Sequence, residues 1–353
     1  MFADRHPGMP NRDPAGTRRT SPDRLRINDL GPGLEVPRQG PVLGYSCGAM
    51  SASASPSPEF QPRRSVLYVP GSNAKALAKA PALPADALIL DLEDAVLPAA
   101  KLPARAAVLA AVAAGAFGRK EVVIRINGLD TPWGRDDLDA AARSGAHAIL
   151  LPKINTAAEV KAIATMLDGH AETAHRDTPS LWSMLETPQA ILEVASIARS
   201  SPRLRVLVMG LADLGKALRL PADPQRAALA PTLAYCVLAA RAAGLDILDG
   251  VHTRLADTDG FRAECRQGRQ FGFDGKTLIH PGQIDASNEI FGVSAAEAER
   301  AAGLIAAWEA SGTGGAGVIV HEQQMIEQLH VDEARRIVAM HAASGQDDPS
   351  QGN

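Results

Sequence analysis

The sequence is short of the residues that most readily betray a protein's chemistry. Among 353 residues there are three cysteines, Cys47, Cys236 and Cys265, and no two of them form a CxxC pair. That spacing argues against a zinc knuckle and against a disulfide framework. Aromatic residues make up 4% of the chain and the net charge is -4, so neither stacking platforms nor a basic footprint for nucleic acid is present. No apolar run approaches the roughly 20 residues of a membrane span. No apolar stretch behind the N-terminus has the form of a secretory signal. A cytoplasmic protein with no nucleic-acid and no membrane partner is expected. Glycine-rich phosphate loops, a GxSxG elbow and a HExxH pair are also missing, which disfavours dinucleotide redox, kinase, serine-hydrolase and zinc-protease chemistry. His147 and His280 are read as packing or capping residues.

What is present is a long soluble chain, 46% hydrophobic and 22% charged. Residues 1–61 are rich in Pro, Gly, Ser and Arg and are expected to be disordered. Asp4, Asp13, Asp23 and Asp29 weigh against a transit peptide, and translation could equally start at Met1 or Met50. From Arg64 the texture changes to short apolar runs separated by Ala-rich amphipathic stretches. The runs are SVLYVP (65–70), ALILDLE (87–93), EVVIRIN (121–127), AHAILLPK (146–153), SLWSMLE (180–186), RVLVMG (205–210), LDILDG (245–250) and FGFDGKTLIH (271–280). Apolar on both faces and alternating with helices, they predict a parallel sheet covered all round. Eight such units point to an α/β fold, a (β/α)₈ TIM barrel over residues 62–290, with a doubly wound open sheet as the alternative. Residues 291–342 read as a helical extension containing the Gly-rich linker SGTGGAG (311–317), and 343–353 as a disordered tail.

Polar residues gather at the C-terminal ends of the runs, the face on which barrel enzymes carry their sites. Tyr68 and Gly71 follow the first run, Asp91, Glu93 and Asp94 the second, Arg125 and Asn127 the third, Lys153 the fourth, Glu186 the fifth, Asp213 the sixth and Asp249 the seventh. Glu186 ends an apolar run, where an ionised carboxylate is costly without a partner. It either caps the next helix or binds a metal. Asp213 lies one βα unit further on, so the two carboxylates can share an ion, and a pair of acids with room for water suits Mg²⁺. Asp91, Glu93 and Asp94 are placed around that site, holding water or fixing nearby Arg and Lys. Arg125 has a planar fork suited to a carboxylate or a developing enolate. Its alternative is a structural ion pair with the LDLED acids.

The segments RRSVLYVPGSN (63–73), LILDLEDAV (88–96) with Lys101 and Arg105 behind it, VVIRINGLDTPWG (122–134), LLPK (150–153), MLETP (184–188), GLADLG (210–215), GFDGKTLIHPGQI (272–284) and MIEQLHVDEARRI (325–337) resemble the citrate lyase beta-subunit-like family. That family, within the HpcH/HpaI aldolase superfamily, includes malyl-CoA and citramalyl-CoA lyases. The resemblance implies a Mg²⁺-dependent lyase that reversibly cleaves a malyl-CoA-like thioester into an acyl-CoA and a 2-oxo acid of the glyoxylate, pyruvate or oxaloacetate class. It makes Glu186 and Asp213 the metal ligands and sets Arg125 against the substrate. It brings Tyr68, Gly71 and Lys75 near the acid or coenzyme A, with Lys101 supporting the acidic loop. Glu327 stands where lyase relatives carry an Asp that serves a neighbouring subunit as acid/base, so a homo-oligomer built on trimers is implied. The longer acid leaves a malyl-CoA thioesterase as an alternative. A 2-oxo-acid aldolase acting without CoA and a non-catalytic citrate-lyase-like subunit are further alternatives.

Overall fold

The computed structural model describes residues 61–345 except 175–177, 222, 224 and 313–316. The expected N-terminal and C-terminal tails therefore lie almost wholly outside the described residues, as does the middle of the SGTGGAG linker. Eight parallel strands form a closed barrel in sequence order: β1 (Ser65–Pro70), β2 (Ala87–Asp91), β3 (Glu121–Arg125), β4 (Ala148–Leu151), β5 (Ser180–Leu185), β6 (Leu204–Met209), β7 (Asp246–Asp249) and β8 (Gly275–Leu278). β1 pairs with both β2 and β8, which closes the ring. The barrel expected from the eight apolar runs is the fold observed.

Alternation along each strand decides what faces inward. Val66, Ile89, Val123, Leu150, Trp182, Val206 and Leu248 pack together inside the barrel, while their neighbours Leu67, Leu88, Leu90, Ile124, Leu181 and Ile247 pack outward against the helices. Extending that two-residue period toward the C-terminal ends carries Tyr68, Asp91, Arg125 and Glu186 to the inner side. Asp249 follows the opposite parity. It points outward, where Arg226 and Lys276 bind it, so it does not join the mouth of the barrel as its strand-end position suggested.

The extension beyond the barrel is not purely helical. The helix Ala295–Ala310 opens with a Ser294/Glu297 capping box, and a hairpin of β9 (Ile319–His321) and β10 (Gln324–Ile326) precedes the helix Gln328–Gly345. Its two turn residues, Glu322 and Gln323, have φ of 47° and 62°, the signs a type I′ turn requires. Trp308, Ile326 and Val331 form a small separate core, with Leu304, Ile305 and Ile319 against it. The final helix is thus packed on its predecessor. Among the described residues no helix is long and apolar enough to cross a membrane.

Candidate active site

A cavity of about 330 Å³ opens at the C-terminal end of the barrel, lined by Tyr68, Asp91, Asp94, Arg125, Glu186 and Asp213 among others. Six of the sequence-predicted residues therefore converge. Glu186 is the residue just past β5, 2% exposed, and Asp213 lies in the first turn of the helix Leu211–Ala217. Glu186 is not a helix cap. Thr187 does that work, its hydroxyl accepting from Ala190 N at 3.1 Å. The Glu186 carboxylate instead accepts a hydrogen bond from the backbone N–H of Lys153. Its other oxygen lies over Gly210, where a Cβ would come within 2.3 Å of the Glu186 Cβ, so only glycine fits there.

Arg125 is less free than its strand-end position suggested. Its Nε and Nη2 each donate to Asp91 at 2.7 Å, so the planar fork is occupied. Nη1 remains, 3.0 Å from Glu93, 3.6 Å from Asp94 and 3.7 Å from Met184 Sδ. The guanidinium also lies 4.7 Å from the centre of the Tyr68 ring. Burial works against its charge, but Tyr68 and Asp91 outweigh burial and keep it protonated. Asp91 is fully buried and accepts two further bonds, from Glu93 N and Ala95 N, which fold the acidic loop over the site.

Glu93 faces Arg125 on one side and Lys153 Nζ, at 3.0 Å, on the other. Burial holds its carboxyl above the usual carboxylate range despite both cations. Its Oε2 is an ion-pair partner of Arg125 but has no hydrogen bond. Lys101 stands behind the loop and donates to the carbonyls of Leu92 and Glu93 at 2.9 and 2.8 Å. Gly71 contributes backbone, its N–H donating to Asp91 O at 2.8 Å where a Cβ would clash. Lys75 lies in the helix Ala74–Lys79, exposed and outside the cavity lining. Glu327 immediately precedes the helix Gln328–Gly345, half-buried, and does not line the cavity of its own barrel. His147 and His280 accept from Val122 N and Gly282 N, the packing and capping roles expected of them.

Strand-end reasoning named Lys153 but missed the part its backbone plays. Its φ of 53° is left-handed, a strained conformation for a residue with a side chain. The strain presents its N–H to Glu186. Nothing in the run AHAILLPK signals this, because glycine is the usual marker of such a position.

The charge balance is what a cation site requires. Burial, with Glu93 and Asp213 adding to it, pushes the Glu186 carboxyl up to about 7, although the Lys153 N–H opposes the shift. A divalent ion would relieve that unmet charge. Among the described residues no three His, Cys, Asp or Glu side chains gather into a full metal cage. Two carboxylates with space for water and substrate nevertheless fit Mg²⁺, which keeps several waters and takes one or two carboxylates.

The profile of the HpcH/HpaI aldolase/citrate lyase family matches residues 64–281. A (3S)-malyl-CoA thioesterase of Cereibacter sphaeroides is 47% identical over 281 residues, covering 80% of this chain and 95% of that protein. The citrate lyase subunit beta of Escherichia coli is 34% identical over 285 residues, covering 80% of this chain and 94% of that protein. Among solved structures, CitE from Mycobacterium tuberculosis in complex with magnesium, acetoacetate and coenzyme A matches with a TM-score of 0.62 and 27% identity. That match covers 79% of this chain and 97% of the other. With the barrel, the mouth-lining carboxylates and these matches agreeing, the chain belongs to the HpcH/HpaI aldolase/citrate lyase family.

Proposed function

We infer that the protein is a Mg²⁺-dependent enzyme that hydrolyses a malyl-CoA-like thioester to the free hydroxy acid and coenzyme A. The observation that carries the metal-dependent reading is the convergence of Glu186 and Asp213 on one cavity with Arg125. Identity to a malyl-CoA thioesterase along 95% of its length favours hydrolysis over carbon–carbon cleavage.

Mg²⁺, when bound by Glu186 and Asp213, supplies positive charge where oxygen charge develops. Asp91 orients Arg125 so that Nη1 is the donor left for the reacting carbonyl oxygen. Water adds to the thioester carbon, the C–S bond breaks, and the proton lost by water ends on the departing sulfur. Glu93 does not line the cavity; paired with Arg125 Nη1 and Lys153 Nζ, it holds that side of the guanidinium in place. The Tyr68 ring, packed on Arg125, closes the inner end of the cavity against water.

Citrate lyase relatives at 34% identity support a second reading, reversible carbon–carbon cleavage to an acyl-CoA and a 2-oxo acid. In that reaction the substrate hydroxyl loses its proton, the bond breaks, and the acyl-CoA enolate is protonated. One assay separates the two. With Mg²⁺ and malyl-CoA or citramalyl-CoA, free thiol without 2-oxo acid marks hydrolysis, whereas acetyl-CoA with glyoxylate or pyruvate marks cleavage. Binding of 2-oxo acids but not of acetyl-CoA would mark an aldolase, and no turnover on any of these would mark a non-catalytic subunit.

Glu327 belongs to the same reading. Its backbone N–H donates to His330 Nδ1, but its carboxylate makes no hydrogen bond or ion pair among the described residues. Beside it the hairpin exposes Val320 and Met325, at 77% and 60%. A trimer in which Glu327 closes the neighbouring barrel accounts for both features. Glu186→Ala and Glu327→Ala chains, each inactive, should then regain part of the activity when co-expressed. Mixed oligomers that stay inactive would show that Glu327 is not shared.

A further inference from the structure

The strained Lys153 is held by a closed circuit of hydrogen bonds. Lys153 N–H donates to Glu186 Oε1, and Lys153 O accepts from Asn155 Nδ2 at 3.0 Å. Asn155 Oδ1 in turn accepts from the hydroxyl of Thr187, the residue next to Glu186. Since that hydroxyl already accepts from Ala190 N, its one hydrogen is free for Asn155. The amide orientation of Asn155 is thereby fixed, with its NH₂ toward Lys153. The backbone of Asn155 is anchored separately, its N–H donating to Glu159 Oε2 at 2.8 Å, as does that of Thr156 at 2.7 Å.

The left-handed turn at Lys153 costs of order 1–3 kcal/mol and persists only where its surroundings over-determine it. Asn155 supplies that constraint from one side and Thr187 locks Asn155. With Oε1 of Glu186 tied to the Lys153 N–H, Oε2 is the oxygen left beside Gly210, at the start of the helix that carries Asp213. We propose that Asn155 is a positioning residue, holding the Lys153 backbone so that the Glu186 carboxylate presents one oxygen to the Mg²⁺ site. This rests on the Mg²⁺ reading above. The competing account, a loop bond that only stabilises the fold, gives a lower melting temperature with unchanged metal affinity.

Both readings are separable on the full-length protein. Mg²⁺ alone is titrated by calorimetry into wild type, Glu186→Ala, Asn155→Ala, Asn155→Asp and Thr187→Ser. Asn155→Asp removes the donor while keeping the shape, and it covers the case in which the alanine variant folds poorly. Both Asn155 variants should bind Mg²⁺ about tenfold more weakly, the usual loss when a ligand's support is removed, with melting midpoints near wild type. Thr187→Ser keeps the hydroxyl and should bind normally. In metal-free protein, hydrogen exchange at the Lys153 amide should accelerate in both Asn155→Ala and Glu186→Ala. Affinity within twofold of wild type in both Asn155 variants, with Lys153 exchange unchanged, would overturn the proposal. Wild type that binds no Mg²⁺ yet shows the coupled exchange would instead overturn the metal reading and leave the positioning of Glu186 standing.

Discussion

Two groups of charge lie on opposite sides of the barrel wall, one buried throughout and one open at the mouth, where Asp94 and Asp213 are exposed. Outside it, Asp249 accepts from Arg226 Nη1 at 2.8 and 2.9 Å and from Lys276 at 2.9 Å; Lys276 also meets Glu264 at 3.2 Å, and Glu264 meets His252 at 3.0 Å. Acids and bases are matched there. Burial alone would raise the Asp249 pKa, but Lys276 and Arg226 more than reverse it. At the mouth, among the described residues, Asp91, Glu93, Asp94, Glu186 and Asp213 are answered by Arg125, Lys153 and, behind the loop, Lys101. There the Glu186 carboxyl is pushed up to about 7. A charge network with every charge answered needs no further partner, whereas one left acidic has the charge to accept a cation.

The largest effects should fall at the unmatched site and concern activity. Glu186→Ala or Asp213→Ala should lower turnover about 10³-fold or more, since metal assistance supplies several kcal/mol. The barrel should stay folded, as circular dichroism would show. Near-normal activity in both variants would mean that the pair holds no catalytic ion. The matched network should respond in the opposite way. Arg226→Met takes one of its two cationic partners from buried Asp249 and should cost up to about 3–5 kcal/mol of stability, read by urea unfolding. The turnover of its folded fraction should be unchanged. A loss of turnover with unaltered stability would erase the distinction between the two groups. Arg125→Lys should have a smaller effect on turnover, about 10²-fold. Lysine keeps the charge but cannot both satisfy Asp91 and present Nη1. A change confined to thermal stability would reduce Arg125 to an ion pair.

The same contrast explains what could be read in advance. The eight strands were legible because each is an apolar run bounded by helix, and the inner residues of the site follow from the two-residue period that begins at Val66, Ile89, Val123 and Trp182. Applied to β7, that period also puts Asp249 outside, so the strand-end list alone was too coarse. The hairpin of β9 and β10 was not legible, since its turn uses Glu322 and Gln323 rather than Asn-Gly or Asp-Gly. The left-handed Lys153 was hidden for the same reason. Both are conformations that tertiary contacts impose on residues with no local preference for them. The occupied fork of Arg125 is the ion pair with the LDLED acids that the sequence offered as the alternative; that the partner is Asp91 follows from the register of β2 and β3.

The smallest expected effect is a dependence of metal stabilisation on pH. Burial pushes the Glu186 carboxyl up to about 7 in the folded protein, from an ordinary value of 4.5. Between these values the native state holds a proton that the unfolded chain has lost, so in metal-free protein this group's contribution to stability is present below about 4.5 and fades as pH rises through about 7. Burial of Glu93 acts in the same direction. Mg²⁺ needs the ionised carboxylate, so protons compete with it below pH 7 by up to tenfold in affinity per unit. At one fixed, subsaturating-to-saturating Mg²⁺ concentration, the rise in melting temperature on adding metal should therefore be greater at pH 8 than at pH 6, by roughly 2–4 °C for each kcal/mol of difference. Glu186→Gln cannot titrate there, and its metal-induced shift should be small and flat across the same range. Arg226→Met, altered only in the matched network, should retain the wild-type pH trend from a lower baseline. Equal metal-induced shifts at pH 6 and pH 8 in wild type would show that Glu186 does not carry the unmet charge, and the difference between the two networks would then have no bearing on the metal.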